Sequence, residues 1–216
     1  LAHNGEIKTL RGNRNWMKAR EKNIASPLFG DKAHFLSPIL EDNTSDSANL
    51  DNALEVMTLG GRTVGHSMMM LIPPAWGNKH SMGPDIRGFF EYHAGIMEPW
   101  DGPAAVAFTD GVWVGATLDG NGLRPARYTI TKDHFMVFAS EAGALDIPPE
   151  NVQERGSLRP GRMILVNMET GRLYKDSEIK AQLARRQPYR RWVKENHIDI
   201  HGFFNAVVEV PSDPES

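Results

Sequence analysis

Asn4 and Gly5 are the residues of this chain best suited to do chemistry. A carboxamide side chain and the N–H of the glycine after it can point two donors at one spot, which makes an oxyanion hole for a developing negative oxygen. Glycine lets the backbone approach a ligand closely, although Asn-Gly is also an ordinary turn pair. The surroundings raise its weight, because His3, Glu6, Arg11, Gly12 and Asn13 form a dense polar cluster ahead of a predicted helix. An oxyanion hole serves a nucleophile. The chain contains no cysteine, and no serine stands in a glycine-flanked elbow. The expectation is one part of an active site whose nucleophile lies outside this sequence.

A second constellation is Ser45-Asp46-Ser47. Ser47 reads as a helix cap. Asp46, just before it, is free to point away, and its carboxylate is suited to hold the ammonium of an amino-acid ligand through a charge-assisted hydrogen bond. Glu98-Pro99-Trp100-Asp101-Gly102-Pro103 reads as a rigid turn, with Asp101 accepting backbone N–H groups. The glycines of Asp119-Gly120-Asn121-Gly122 lack the helix start and the Gly-Lys-Ser/Thr ending of a phosphate-binding loop, so Arg124 reads as a structural or substrate-side ion-pair residue. His197 and His201 are spaced i, i+4 but lack the neighbouring glutamate of a zinc-protease helix, and no metal site is expected.

Several elements must position these groups. The pattern predicts helices over 13–22 with Asn13 as cap, from Ser47 to Gly60-Gly61, over 64–72 until Pro73-Pro74, and over 85–97. A loop-rich connection fills 26–47. Asp110-Gly111 between apolar runs is a strong hairpin signal for strands at 104–109 and 112–117. Further strands are expected at 127–131, 135–139 and 162–167, an ordered turn at 118–125, helices at 177–186 and 189–195, and a mobile tail from Pro211. Met68, Met69 and Met70 read as core. Helices followed by consecutive antiparallel strands give α+β architecture.

Composition narrows the function classes. With 216 residues, 40% hydrophobic, 24% charged and a net charge of -3, the chain is an ordinary globular sequence with no basic footprint for nucleic acid. Absence of cysteine excludes disulfides and cysteine-ligated clusters within it. No apolar run approaches the roughly 18 residues of a membrane span, and no signal peptide is visible. A soluble, cytoplasmic protein is expected, or an organellar one had a targeting segment been removed.

Ordered motifs then point to a family. His3-Asn4-Gly5-Glu6-Ile7-x-Thr9-x-Arg11-Gly12-Asn13-x-Asn15-Trp16-Met17 is followed by Ser45-Asp46-Ser47-x-x-Leu50-Asp51-Asn52-x-Leu54-Glu55. Met97 to Ala105, Asn121-Gly122-Leu123-Arg124-Pro125-Ala126-Arg127-Tyr128 and Pro160-Gly161-Arg162-Met163 complete the series. The chain resembles the glutaminase (class II amidotransferase) domain of the glutamate synthases. That resemblance implies an N-terminal-nucleophile hydrolase fold, a four-layer αββα sandwich incomplete at its N-terminus. It also implies an N-terminal cysteine that attacks the glutamine amide, with its own amino group as base. Asn4 and the Gly5 N–H would stabilise the oxyanion, and Asp46 would bind the glutamine α-ammonium.

The same resemblance implies a division into residues 1–190, a partial glutaminase domain, and 191–216, the start of a connection to a central domain. The implied partners are L-glutamine, an N-terminal segment and a synthase domain of the same polypeptide, and an electron-donor subunit or ferredoxin, with no nucleic acid and no membrane. FMN and an iron-sulfur cluster would belong to the rest of the enzyme and none to this segment. Residues 155–163 are candidates for facing the synthase domain. Two positions depart from the family pattern: Lys8 stands where asparagine is usual, and Gly120 where arginine is expected, which would loosen the loop before Asn121. The alternative reading is a non-catalytic interaction or regulatory module derived from the same fold.

Overall fold

The central strands are near-continuous apolar runs, and the alternate facing of their side chains sorts the chain into layers. The computed structural model describes residues 1–198 apart from 26, 28, 29 and 78–80. The described chain runs β1 (Ala2–Gly5), α1 (Leu10–Glu21), α2 (Asp46–Leu59), α3 (Val64–Leu71), α4 (Pro84–Ala94), β2 (Ala104–Thr109) and β3 (Trp113–Leu118). It continues with β4 (Arg127–Thr131), β5 (Met136–Ala139), β6 (Val152–Ser157), β7 (Met163–Asn167), β8 (Arg172–Lys175), α5 (Asp176–Ala184) and α6 (Tyr189–Asn196). One antiparallel sheet has the order β1-β2-β3-β7-β8 and a smaller one the order β5-β4-β6.

Successive side chains of a strand point to opposite faces. Ala104, Val106 and Phe108 of β2, with Met163 and Leu165 of β7, join the helical core of Leu50, Leu54, Met68, Leu71, Phe89 and Ile179. Ala105, Ala116 and Ile164 face the other way and pack with Leu118, Ala126 and Leu158 under the smaller sheet. The result is a mixed α/β protein with a helical layer, a five-stranded sheet and a three-stranded sheet. All residues of α3 are buried, Met68, Met69 and Met70 together with the polar His66 and Ser67.

Inside the helical layer two buried histidines face each other, with His66 Nε2 2.9 Å from His93 Nε2. His93 Nδ1 lies 2.7 Å from the Phe89 carbonyl, which can only accept, so Nδ1 carries the proton. A neutral His93 therefore accepts at Nε2, and His66 donates. Tyr189 of α6 stacks beside His93 and Trp192 beside Tyr92, which fastens α6 to α4.

The hairpin forms as expected. β2 and β3 pair antiparallel, Gly111 takes φ 93°, and Asp110 Oδ1 accepts the N–H groups of Val112 at 3.0 Å and Trp113 at 2.7 Å. Three strands, β1, β6 and β8, lie where the sequence does not read as strand; β1 and β8 are four residues each and β6 is mostly polar, and pairing with a neighbour makes each a strand. Two helix starts also differ from expectation. α1 begins at Leu10, three residues before Asn13; Asn13 is an interior residue, 1% exposed, whose Nδ2 donates to the Pro99 carbonyl at 3.1 Å. α2 is capped by Ser45, whose Oγ accepts the Ala48 N–H at 3.1 Å, and Ser47 lies inside the first turn. The expected tail from Pro211, and His201, lie outside the described residues.

Candidate active site

The first strand holds Asn4 and Gly5 in a set phase. Gly5 lies opposite Ala104, and the next residue, Glu6, donates its N–H to the Pro103 carbonyl at 3.2 Å. Facing residues of an antiparallel pair either exchange both main-chain bonds or neither, in alternation. Ala104 directs both its polar groups to the opposite neighbour: its N–H reaches Asp119 Oδ1 at 3.2 Å, and its C=O accepts the Asp119 N–H at 3.1 Å. The Gly5 N–H is therefore turned away from β2, toward the edge of the sheet on which β1 is outermost. Asn4 is exposed, and its carboxamide makes no hydrogen bond among the described residues. Both candidate donors are thus unengaged.

Glycine is obligatory at position 5. It takes φ 134°, and a Cβ there would sit 1.8 Å from the Pro103 oxygen. The same close approach recurs one turn on, where a Cβ on Gly102 would meet the Glu6 oxygen at 1.9 Å. The Asp101 carbonyl accepts the Lys8 N–H at 2.8 Å and the Thr9 N–H at 3.2 Å, and Asp101 Oδ1 accepts the Gly102 N–H at 2.9 Å. The Pro99–Pro103 turn is thus a template against which the chain leaving β1 is laid. Arg124 adds to it by donating from Nε to the Pro103 carbonyl at 3.4 Å, a structural contact.

Asp46 is the first residue of α2, and its carboxylate turns back to β1. Oδ2 accepts the Ile7 N–H at 2.8 Å; Oδ1 accepts the Ser47 N–H at 2.8 Å and lies 3.3 Å from His3 Nε2. Partial burial opposes the charged form, but the Ile7 and Ser47 N–H groups and the His3 ring outweigh it and hold the carboxyl below its ordinary range. A helix N-terminus favours a negative charge as well. Two carboxylate oxygens offer about four acceptor positions. Those three contacts leave one on Oδ2, and the side chain stays 20% exposed. The arrangement can anchor a cation beside the strand that carries Asn4 and Gly5.

A family profile described as glutamine amidotransferases class-II matches residues 1–192. The chain belongs to the class-II glutamine amidotransferases. It is 48% identical, over its whole length, to the glutamate synthase [NADPH] large chain of Bacillus subtilis, of which it covers 14%. It is 44% identical over 212 residues to glutamate synthase [NADH] of Schizosaccharomyces pombe, covering 98% of this chain and 10% of that one. Over 199 residues it is 46% identical to ferredoxin-dependent glutamate synthase 2, chloroplastic, of Arabidopsis thaliana, covering 91% of this chain and 12% of that one. This amidotransferase chain therefore spans 10–14% of the length of these relatives.

Of the residues singled out in the sequence, Asn4, Gly5 and Asp46 come together at β1, whereas His197 lies apart, 3.5 Å from Glu91. Among the described residues no cluster of histidines and acids could hold a metal, and no helix is long and apolar enough to cross a membrane. A chain without cysteine also supplies no thiolate for an iron-sulfur cluster. Gly120 does not loosen its loop, because Asp119 Oδ2 takes the N–H groups of Asn121 at 2.8 Å and Gly122 at 3.0 Å. Sequence reasoning missed two supports of this candidate site. Asn49 is fully buried and clamps the loop before Asp46, its Nδ2 reaching the oxygens of Glu41, Thr44 and Ser45 and its Oδ1 accepting the Glu41 N–H. The other is Asp119. Asn49 betrays itself only as a polar residue beside an apolar run, and Asp119 reads only as the first residue of the glycine-rich 119–122 turn.

Proposed function

We propose that this chain is the oxyanion and substrate-anchoring portion of a glutaminase that supplies ammonia for glutamate synthesis from 2-oxoglutarate. One observation carries the reading: the Gly5 N–H faces away from β2, on the side where β1 has no neighbouring strand among the described residues, next to the unengaged Asn4 carboxamide, while Asp46 is tied to the chain leaving β1. Glutamine would lie along that edge with its α-ammonium on Asp46 Oδ2. A cysteine thiolate attacks the side-chain carbonyl carbon, and the carbonyl oxygen becomes an oxyanion held by Asn4 and the Gly5 N–H. Collapse of that oxyanion breaks the C–N bond and releases ammonia, after protonation of the leaving nitrogen. Water then hydrolyses the γ-glutamyl thioester through a second oxyanion in the same hole, giving glutamate and the free thiol.

The nucleophile belongs to another part of a longer polypeptide. Absence of cysteine here and coverage of 10–14% of the relatives support that division. Residues 1–190 would form the amidotransferase portion and 191–216 the start of a connection, anchored by the packing of α6 on α4. The missing part would complete a four-layer αββα sandwich, of which the helical layer and two sheets support three. FMN and an iron-sulfur cluster would sit in the remaining polypeptide, and the electron donor would be a nicotinamide-dependent subunit or ferredoxin, as in the differently named relatives. The cytoplasm or an organelle would house it.

The test compares the complete polypeptide with this chain alone for release of ammonia and glutamate from glutamine. The complete protein is expected to turn over and the isolated chain to show none. Asn4→Ala in the complete protein is expected to lower kcat about 10²–10³-fold, the loss typical of one oxyanion donor. Unchanged kcat in that variant, or turnover by the isolated chain, would overturn the reading.

A further inference from the structure

The phase of β1, on which the oxyanion donors depend, is set from the far side of β2 by Asp119. This residue is 2% exposed, and no basic side chain pairs with it among the described residues. Its carboxylate is held by three backbone N–H groups alone: Ala104 at 3.2 Å on Oδ1, and Asn121 at 2.8 Å and Gly122 at 3.0 Å on Oδ2. Its own main chain donates to the Ala104 carbonyl at 3.1 Å and accepts the Gly161 N–H at 2.9 Å. β3 ends at Leu118, so the Asp119 carboxylate stands in for the acceptor that one more strand residue would have offered to Ala104.

The consequence runs directly to Gly5. With Ala104 fully engaged by Asp119, no donor or acceptor of Ala104 is left for β1, and Gly5 must turn its own N–H outward. Pro103, next in line, lacks an N–H and can only accept from Glu6, so the ladder is fixed at that end too. A slip of one residue would move His3 and Gly5 to the other phase and bring the Gly5 N–H against β2. Four residues with no buried apolar side chain among them cannot hold register by apolar patterning. The lock has to come from outside the strand.

We infer that Asp119 is a positioning residue for the glutaminase reaction: it fixes the β1–β2 register so that the Gly5 N–H stays aimed at the oxyanion position. The inference rests on the function proposed above. It also explains how the Asn121–Tyr128 and Pro160–Met163 segments serve the same strand. Asp119 gathers the N–H groups of Asn121, Gly122 and Gly161, and the Gly161 carbonyl accepts Lys180 Nζ at 2.6 Å, which carries the brace into α5.

The test is Asp119→Asn in the complete polypeptide, which retains size and one acceptor but turns an NH₂ toward at least one backbone N–H. Steady-state glutamine hydrolysis is read together with hydrogen exchange over 1–8, 103–108 and 121–122. The expected result is a kcat about 100-fold lower, comparable to loss of an oxyanion donor, with KM for glutamine within about twofold and exchange that is faster in β1 and the start of β2 and not only at Asn121 and Gly122, which Asp119 holds directly. A raised KM at unchanged kcat would place Asp119 in binding and overturn the inference, as would unaltered kcat and exchange. If the unaltered polypeptide hydrolyses no glutamine, the functional reading fails, and the exchange measurement still decides the register lock. Should the Asn variant not accumulate, Asp119→Glu, which keeps the charge and displaces the acceptors by one methylene, is read in the same two ways.

Discussion

The Asp46 carboxylate accepts the Ile7 N–H at 2.8 Å across a separation of 39 residues. That bond joins the first turn of α2 to the chain leaving β1, so an anionic anchor and two free donors belong to one local unit. Asp46→Asn in the complete polypeptide tests its two roles. A hydrogen bond to a charged group contributes about 1.5–3 kcal/mol, so KM for glutamine is expected to rise about 10–100-fold. Unfolding free energy should fall by about 1–2 kcal/mol, because the Ile7 and Ser47 N–H groups lose a charged acceptor. An unchanged KM would remove Asp46 from the substrate site.

Gly5→Ala should behave differently from a change at Asn4. A methyl at position 5 would lie 1.8 Å from the Pro103 oxygen, and the φ of 134° is one that alanine avoids. The strand has to shift, moving both donors, so activity is expected to fall more than about 10³-fold, with about 2–4 kcal/mol of stability lost. Asn4→Ala should leave the unfolding midpoint within about 1 °C, since an exposed side chain away from packed features contributes little. Parallel thermal scans and turnover assays of the two variants check the contrast.

Asn49→Ala removes a side chain that makes four hydrogen bonds and is fully buried. The Glu41 N–H and carbonyl lose their partner, and the loop before Asp46 loses its clamp. About 2–4 kcal/mol of destabilisation is expected, or roughly 4–16 °C in Tm for a chain of this size. Denaturant titration gives the first figure and calorimetry the second.

The His66–His93 pair makes stability depend on pH. Burial, the neighbouring His93 and the charges of Arg62 and Arg186 lower His66 to about 3. For His93, burial and Arg62 outweigh the hydrogen bond to the Phe89 carbonyl and lower it to about 4. Both rings stay neutral in the folded chain, whereas unfolded histidine titrates near 6.5. Between about pH 6.5 and 4 the unfolded state therefore binds more protons, so the contribution is fully present above 6.5 and is lost as pH falls. The Tm is expected to drop by about 10 °C from pH 7 to 4.5. In His66→Gln/His93→Gln that dependence should flatten, leaving the carboxylates, Asp46 among them, to titrate lower. A pH profile of Tm unchanged by the double variant would contradict this account.

Much of this protein was legible in its sequence. The Asp110-Gly111 turn, the Pro73-Pro74 stop and the apolar stripe of α2 act within a few residues of themselves, so local pattern reveals them. β1 was not legible as a strand, since His3-Asn4-Gly5 has no alternation and becomes extended only by pairing with β2. The cap of α2 was displaced by two residues for a comparable reason. Ser45 and Ser47 have equal capping chemistry, and the pull of Asp46 toward Ile7 sets which of them starts the helix.

The sequence by itself determined the chemistry that is available: a carboxamide beside a glycine, a carboxylate at a helix start, and no thiol anywhere. Tertiary structure alone decided how those groups are aimed. The direction of the Gly5 N–H follows from bonds that Asp119 makes to Ala104, and the position of Asp46 follows from a bond to Ile7. Register and orientation arise where distant segments share main-chain hydrogen bonds, and no local propensity encodes which donor will meet which acceptor.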